Sequence, residues 1–424
     1  MRQWPCAAVS VRILLIWFIM ATDPEAAPRG EPPNPSHRVE AAIDIMDRFA
    51  ERTGVVAGDD RRRYLWTDAF AVMNDLALGD ATGDARFRRR ARMLIDRVHQ
   101  ALGHHRNDDG RTGPISGLSE DEAEVHPTAG GLRIGKPMPE RRPGEPLDPR
   151  AEWERDGQYF HYLTKWMQAL DRAARSLRDP QLNGWACELA KAAFDAFVSR
   201  RDETTAPRMV WKMSVDLSRV LVPSMGQHDP LDGLVTYRQL EATHRQLHTD
   251  PVTLDDREAA FAEMIDIENL GTADPLGIGA LLLDAAHLEQ LRSADDFGAR
   301  GLMEALATAA SDGIDAFLVQ GDLRERAEHR LAFRELGLAI GLAGLETIED
   351  SLARRAEDAR DAVLRDLVDP LVPFANLGRS IESFWREPAN QTSEAWRAHE
   401  DINEVMLAAS LVPQGVTVVP PLAS

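Results

Sequence analysis

The sequence predicts an all-α protein built as an (α/α)6 toroid, that is, six helical hairpins that form an inner and an outer ring of helices. Six apolar segments recur along the chain, and each opens at a polar or aromatic cluster near Trp66, Gly157, Asp229, Asp274, His329 or Trp396. No long segment alternates apolar and polar residues with a period of two, as half-buried strands do. Helices therefore account for most of the hydrophobic pattern.

Each apolar segment has an amphipathic companion, which predicts an outer helix for every inner one. A helix covered on all sides is apolar all round, whereas a surface helix has a single apolar stripe. The stretch from Tyr159 to Leu170 is of the first kind, and the stretch from Asp84 to Leu102 is of the second. The companions are residues 38–53, 84–102, 180–200, 254–268, 296–319 and 350–385. Residues 38–53 would close the outer ring beside the last inner helix.

Several residues mark where these helices begin. Asp84 and Asp179 stand where an N-cap is expected, because an aspartate oxygen can accept hydrogen bonds from the free N–H groups of the first turn. Asp229-Pro230 and Asp274-Pro275 combine a capping residue with a proline at the first helical position. Capping residues and prolines therefore predict where several of the helices begin.

We expect one folded domain over residues 37–413, preceded by a leader and linker over 1–36 and followed by a tail over 414–424. The apolar stretch Ile13–Ala21 is too short to span a bilayer. It resembles the core of a signal peptide, with Ile19-Met20-Ala21 as an imperfect cleavage site. A start assigned too far upstream is the alternative, so a cytoplasmic and an exported location both stay open.

Charge and cysteine content exclude several classes of protein. The net charge of −20 argues against binding nucleic acid or an anionic membrane by bulk electrostatics. Two cysteines, Cys6 and Cys187, are too few for a disulfide framework or a cysteine-rich metal site. No HExxH, P-loop or dinucleotide fingerprint appears, and we expect no cofactor. The sequence does not predict an oligomeric state.

Aromatic residues near the helix openings indicate a carbohydrate ligand. Five of the nine tryptophans fall in or beside connections from outer to inner helices, namely Trp66, Trp153, Trp211, Trp385 and Trp396. Flat aromatic rings suit the apolar C–H faces of sugars. The alternative is that these indoles only wedge helix ends apart. The residues expected to bind substrate are Trp66, Trp153, Arg155, Gln158, Tyr159, His161, Trp211, Arg334, Glu335, Trp396 and Asn403.

Acidic residues at the helix openings indicate acid–base catalysis. Two carboxyls on opposite walls of a funnel would flank a glycosidic bond, and inverting hydrolysis needs them about 6.5–9.5 Å apart. Glu404, and after it Asp401, is the candidate from the sixth inner helix, where apolar neighbours would raise the pKa of the acid. The opposite partner would be Asp229, Asp156 or Asp68. Structural roles as helix caps or in ion pairs are the alternatives for these acids.

Histidines allow a second chemistry. His228 and His399 would remove and return a proton beside a sugar carbonyl, as a sugar 2-epimerase or isomerase requires, because histidine titrates near neutral pH. In the hydrolase interpretation the same two side chains would orient hydroxyl groups. A non-catalytic toroid that binds glycans is the third possibility. A weaker pattern is a metal site formed by His104, His105, His228 and Asp229.

Three segments carry a resemblance to a known superfamily: Tyr64–Phe70, Arg155–Tyr162 and Pro223–Gly233. Together with the six-hairpin plan, they resemble an uncharacterised bacterial family of the six-hairpin glycosidase-like superfamily, over roughly Arg61 to Pro413. The resemblance implies an active site in the funnel at the N-termini of the inner helices. It also implies carbohydrate chemistry, since the superfamily includes inverting glycoside hydrolases and sugar 2-epimerases. No catalytic motif of a characterised branch matches residue by residue, so no catalytic role is transferred.

Overall fold

The computed structural model of the chain describes residues 35–56, 63–200, 205–250, 253–292, 297–355 and 358–419. Helices make up 69% of this structure and strands 4%, which confirms the all-α class. The leader, most of the linker and residues 420–424 lie outside the described residues. Within the described part of the chain, no helix has both the length and the apolar character needed to cross a membrane.

Six largely buried helices start close to the six predicted openings. They are α2 (Leu65–Thr82), α6 (Phe160–Leu177), α8 (Asp229–Leu247), α10 (Pro275–Leu291), α12 (Ala332–Arg354) and α17 (Glu400–Leu411). Their contacts follow a closed order: each helix packs against the next in this series, and α17 packs against α2.

Each of these six helices also packs against a companion. The companions are α3 (Ala85–Leu102), α7 (Pro180–Phe197), α9 (Asp255–Met264), α11 (Phe297–Gln320), α14 (Ala375–Arg386) and α1 (Pro35–Arg52), the last against α17. The companion predicted over 350–385 is not one continuous helix. Helix α12 itself continues to Arg354, and a short helix α13 (Ala362–Val368) precedes α14.

Local sequence explains several helix starts. The carboxylate of Asp84 accepts a hydrogen bond from the backbone N–H of Arg86, that of Asp179 from Gln181, and that of Asp274 from Gly277. Close packing needs glycine at one contact between two of the six largely buried helices. A Cβ atom on Gly279 of α10 would lie 2.1 Å from the carbonyl oxygen of Gly337 on α12. These two backbones touch because neither residue has a side chain.

The long connections carry short elements of their own. Residues 103–157 contain helices α4 (Glu120–Val125) and α5 (Pro149–Glu154). Strand β1 (Gln158–Tyr159) pairs antiparallel with β4 (Lys212–Met213), which pairs antiparallel with β5 (Val220–Val222). Strand β2 (Val198–Ser199) pairs antiparallel with β3 (Arg208–Met209). Short helices α15 (Pro388–Gln391) and α16 (Glu394–Arg397) precede α17, and α18 (Gln414–Thr417) follows it.

Candidate functional site

Aromatic rings gather where helices α2 and α6 begin, beside the small sheet. The ring of His161 stacks on Tyr159, with centroids 5.4 Å apart, and on Trp211 at 6.1 Å. Trp66 meets the edge of His161 at 6.2 Å. The pairing of β1 with β4 brings Tyr159 and Trp211 together, 4.9 Å apart, and Trp153 lies 4.9 Å from Trp211. We call these five residues the aromatic cluster.

Three polar atoms beside these rings have no hydrogen-bond partner among the described residues. They are Trp66 Nε1, His161 Nδ1 and Asp229 Oδ2, and all three are shielded from solvent. Trp66 and His161 are the second residues of α2 and α6, and Asp229 is the first residue of α8. Buried polar groups are nearly always paired in folded proteins, so a group of unpaired ones needs an explanation. We call Trp66, His161 and Asp229 the open site.

Burial controls the charge of Asp229. Desolvation, aided by the nearby charge of Asp232, raises the pKa of Asp229 from 3.8 to about 7, although the backbone of Gly226 and the ammonium of Lys165 act in the opposite direction. His228 occupies the N-cap position of α8 and Asp229 is the first helical residue, so the predicted capping role of Asp229 is wrong. Asp229 is therefore partly protonated at neutral pH, and the protonated form can act as a general acid.

His161 lies next to this acid. Its Nδ1 is 3.8 Å from Asp229 Oδ1. Burial lowers the pKa of His161 to about 4, so the imidazole is neutral at pH 7. The pair thus offers a protonated carboxyl beside a neutral ring nitrogen, and neither group is fixed by a short hydrogen bond to the other. A ligand hydroxyl between them would find both a donor and an acceptor.

A second layer of polar residues lies further along α6 and α8 and on the neighbouring helix α10. Lys165 Nζ donates to Asp232 Oδ1 at 2.9 Å, and Gln168 Nε2 donates to Thr236 at 2.8 Å. The hydroxyl of Thr164 donates to the other oxygen of Asp232. On α10, the buried Asp284 has its pKa raised well above the ordinary value, chiefly by desolvation and then by the charge of Asp232.

This second layer was missed in the sequence, although a signal for it exists. Asp284 is the one formally charged residue between Pro275 and Leu288, a segment that is otherwise apolar. Asp232 belongs to the segment Pro223–Gly233 but was not singled out there. A charge within an apolar helix needs a partner or a wet cavity. Applied to α10, this argument selects Asp284.

Asp156 and its neighbours support the long connection instead of facing the aromatic rings. The fully buried carboxylate of Asp156 accepts from the guanidinium of Arg133 at 2.6 Å and from the backbone N–H groups of Gly135 and Gly157 at 3.0 and 3.1 Å. Gln158 uses its side-chain amide to bond the backbone of Gly130, Leu132 and Val215. Arg155 pairs with Glu145.

The acids predicted on α17 and α2 are paired with arginines. Glu404 Oε2 and Asp401 Oδ1 each lie 2.6 Å from Arg52 Nη2 on α1. Asp68 lies 3.6 Å from Arg63 and accepts from the backbone N–H of Tyr64. Burial raises the pKa of Glu404 and raises that of Asp68 to about 6, while their arginine partners lower both.

The remaining predicted residues near α12 and α17 also have partners. Glu335 accepts from Arg330 Nη2 at 2.6 Å and from Trp385 Nε1 at 2.8 Å. Asn403 accepts from the N–H of Phe333 at 3.0 Å and donates to the carbonyl of Trp396 at 3.0 Å. The ring of Trp396 stacks on that of Trp385. We call Glu335, Asn403 and Glu404 the paired region.

The two predicted catalytic histidines are held separately. His228 Nε2 donates to the carbonyl oxygen of Leu270 at 2.9 Å, and His399 packs its ring against Phe333 with centroids 5.5 Å apart. Among the described residues, no contact joins one histidine to the other. Arg334 forms an ion pair with Asp274 at 2.6 Å.

A different cavity, of about 1000 Å³, lies under the segment 104–113. Its basic lining includes Arg63, Arg106, Arg111 and Arg133. Arg106, Arg111 and Arg133 already face carboxylates of Asp108, Asp109 and Asp156. Neither the aromatic cluster nor Asp229 lines this cavity. These three arginines are engaged within the protein, whereas Trp66 Nε1, His161 Nδ1 and Asp229 Oδ2 of the open site have no partner among the described residues.

Metal-type donors converge elsewhere in the molecule. Among the described residues, groups of at least three such donors occur at His244, His248 and Asp250, and at Glu241, Asp255 and Glu258. Neither group contains a residue of the open site.

Comparison with known proteins adds no assignment: no protein-family model matches the chain, and no curated protein is significantly similar to it.

Proposed function

We propose that the chain is a carbohydrate-active enzyme of the six-hairpin glycosidase-like type, and that it hydrolyses a glycoside with Asp229 as general acid. The observation that carries this proposal is a buried carboxyl oxygen, Asp229 Oδ2, without a partner among the described residues and beside the aromatic cluster, on a group whose pKa is raised to about 7. Stacked rings offer a sugar an apolar face, and the carboxyl offers a proton where a glycosidic oxygen would lie.

The same proposal includes the architecture, an (α/α)6 toroid. Two observations support it: the closed order of contacts from α2 through α17 and back to α2, and the companion that packs on each of these helices. In an (α/α)6 toroid the inner helices begin at one face and enclose a funnel. The open site, formed by the first residues of three consecutive inner helices, would then lie in that funnel.

The proposed reaction uses two carboxyls. Asp229 gives its proton to the glycosidic oxygen as the bond from that oxygen to the anomeric carbon breaks, and a water molecule attacks the anomeric carbon. A second carboxyl, on the opposite face of the sugar, takes the proton released by the water. Asp232 is not assigned this role, because Thr164 and Lys165 already hold its two oxygens. Attack from the face opposite the leaving group gives inversion.

The test is a screen of disaccharides and aryl glycosides with the wild-type chain, Asp229→Asn and the matched control Glu404→Gln. General acid catalysis contributes about 10²- to 10⁴-fold, so Asp229→Asn should lose that factor in kcat. Glu404→Gln should stay within a few-fold of wild type, because Glu404 is engaged by Arg52. Loss of activity in Glu404→Gln alone would return the catalytic acid to α17.

A sugar 2-epimerase is the second candidate, and it too rests on one observation. The neutral His161 nitrogen faces Asp229 at 3.8 Å, so a base and an acid lie side by side. An epimerase would exchange the hydrogen at C2 of a free aldose with deuterium from the solvent, whereas a hydrolase would not. Saturable sugar binding without turnover or exchange would instead support the non-catalytic glycan-binding toroid.

A further inference from the structure

We propose that His244, His248 and Asp250 form a binding site for a divalent transition-metal ion of the zinc class. One donor atom from each residue lies within 4.8 Å of the other two. His244 and His248 are four residues apart at the end of α8, so both rings lie on one face of the chain. Two imidazoles and a carboxylate are a donor set that zinc prefers, and water would complete the tetrahedron.

Each of the two histidines uses one ring nitrogen in a hydrogen bond to a backbone carbonyl, which leaves the other ring nitrogen free. His244 Nε2 donates to the carbonyl oxygen of Asp250 at 2.9 Å, so Nδ1 carries the lone pair. His248 donates to the carbonyl oxygen of Pro180, which leaves its Nε2 as the acceptor. Zinc-binding histidines normally donate their other ring N–H to such an oxygen.

Both of these free nitrogens are shielded and without a partner. His244 Nδ1 and His248 Nε2 form no hydrogen bond among the described residues, and His244 is 4% exposed. A buried imidazole nitrogen with a lone pair and no donor nearby is costly to keep. The two rings stack in parallel with centroids 4.0 Å apart, so the side chains would rotate out of this stack for both lone pairs to face one ion.

The position of the site favours a cation. The last carbonyl groups of a helix carry partial negative charge, and α8 ends at Leu247, directly before His248. Through Pro180 the site also contacts the first residue of α7. A bound ion would tie the end of α8 to the start of α7, at the opposite end of α8 from Asp229. Its expected role is structural, and it does not depend on the proposed glycosidase activity.

The experiment titrates the full chain, freed of any affinity tag and treated with chelator, with Co²⁺ and with Zn²⁺. We expect one equivalent to bind, with the visible absorption of tetrahedral Co²⁺, and Tm to rise by several degrees with excess Zn²⁺. His248→Ala, at a half-buried position outside the core, should weaken Zn²⁺ binding about 100-fold or more and abolish the rise in Tm. Asp250→Asn should weaken binding less.

Glu258→Gln is the matched control, because Glu258 belongs to the neighbouring cluster of three carboxylates. It should leave Zn²⁺ affinity unchanged. Absence of Zn²⁺ binding by the wild-type chain at micromolar concentrations would overturn the proposal. So would equal affinity in wild type and His248→Ala, or a loss confined to Glu258→Gln, which would place the ion on the carboxylates.

Discussion

The open site and the paired region are built from similar residues at helix starts, but their polar atoms differ in whether they have partners. In the open site, Trp66 Nε1, His161 Nδ1 and Asp229 Oδ2 lack partners among the described residues. In the paired region, each carboxylate faces an arginine, and Asn403 bonds the backbone on both sides. A buried acid in an apolar helix can therefore be structural or available to a ligand, and its partners decide which.

The largest difference between the two regions should appear in the free energy of unfolding of their variants. Glu335→Gln leaves the buried guanidinium of Arg330 without its counter-ion, and breaking a buried ion pair costs about 3–5 kcal/mol. Asp229→Asn removes a carboxyl that has no such partner and should not destabilise the fold. Urea unfolding of both variants at pH 7 measures the difference. Equal losses would mean that Asp229 is as structural as Glu335.

The pH dependence of stability should set Asp229 apart as well. Its pKa is raised on folding from 3.8 to about 7, so the folded chain binds more protons between these values and loses stability as pH rises through them. The penalty is absent below pH 3.8 and complete above pH 7, where it amounts to roughly 4 kcal/mol at most. Asp229→Asn should therefore gain stability over wild type at pH 8 but not at pH 4. A constant difference across this range would contradict the raised pKa.

Activity should respond to pH through the same group. A general acid works in its protonated form, so kcat/KM should fall about tenfold per pH unit above pH 7, the pKa of Asp229. The residual activity of Asp229→Asn should lack this decline. A profile that is flat up to pH 9 in the wild type would exclude Asp229 as the proton donor.

The smallest effects should come from two matched tryptophan substitutions. Trp66→Phe removes an unpaired indole N–H, whereas Trp385→Phe removes one that donates to Glu335. Both lose similar volume, so the difference in unfolding free energy reports the hydrogen bond, about 1–3 kcal/mol against Trp385→Phe. Trp66→Phe alone should raise KM for the sugar, by roughly 2- to 13-fold. A similar KM change in Trp385→Phe would remove the distinction between the two regions.

Much of the helical framework is predictable because its signals are local. A cap at Asp84 or Asp179 acts within its own first turn, and proline after Asp274 marks a helix start without any knowledge of the rest of the chain. The break in the companion between Arg354 and Ala375 was not predicted, although Pro370 and Pro373 mark it in the sequence, because proline interrupts the hydrogen bonding of a helix. A periodic pattern locates a helical region better than its ends.

The candidate site is less predictable because partners come from far along the chain. The sequence marks Asp229 and Glu404 alike, as carboxylates beside apolar residues. What separates them is Arg52, which lies 352 residues from Glu404 and binds it at 2.6 Å. The same limit applies to Asp156, whose partner Arg133 lies within a segment of little regular structure. Residue type and spacing identify the buried acids but not their counter-ions.

Lys212 can report how often the strands beside the aromatic cluster open. Its ammonium is fully buried and donates to the backbone carbonyls of Glu152 and Arg155 and to the Glu152 carboxylate, whereas Lys191 is exposed on α7. The chain has four lysines in all, so acylation at each amine can be followed separately by mass spectrometry. The ratio of the acylation rates at Lys212 and Lys191 would measure how often the strands beside the aromatic cluster open, while the helices stay folded.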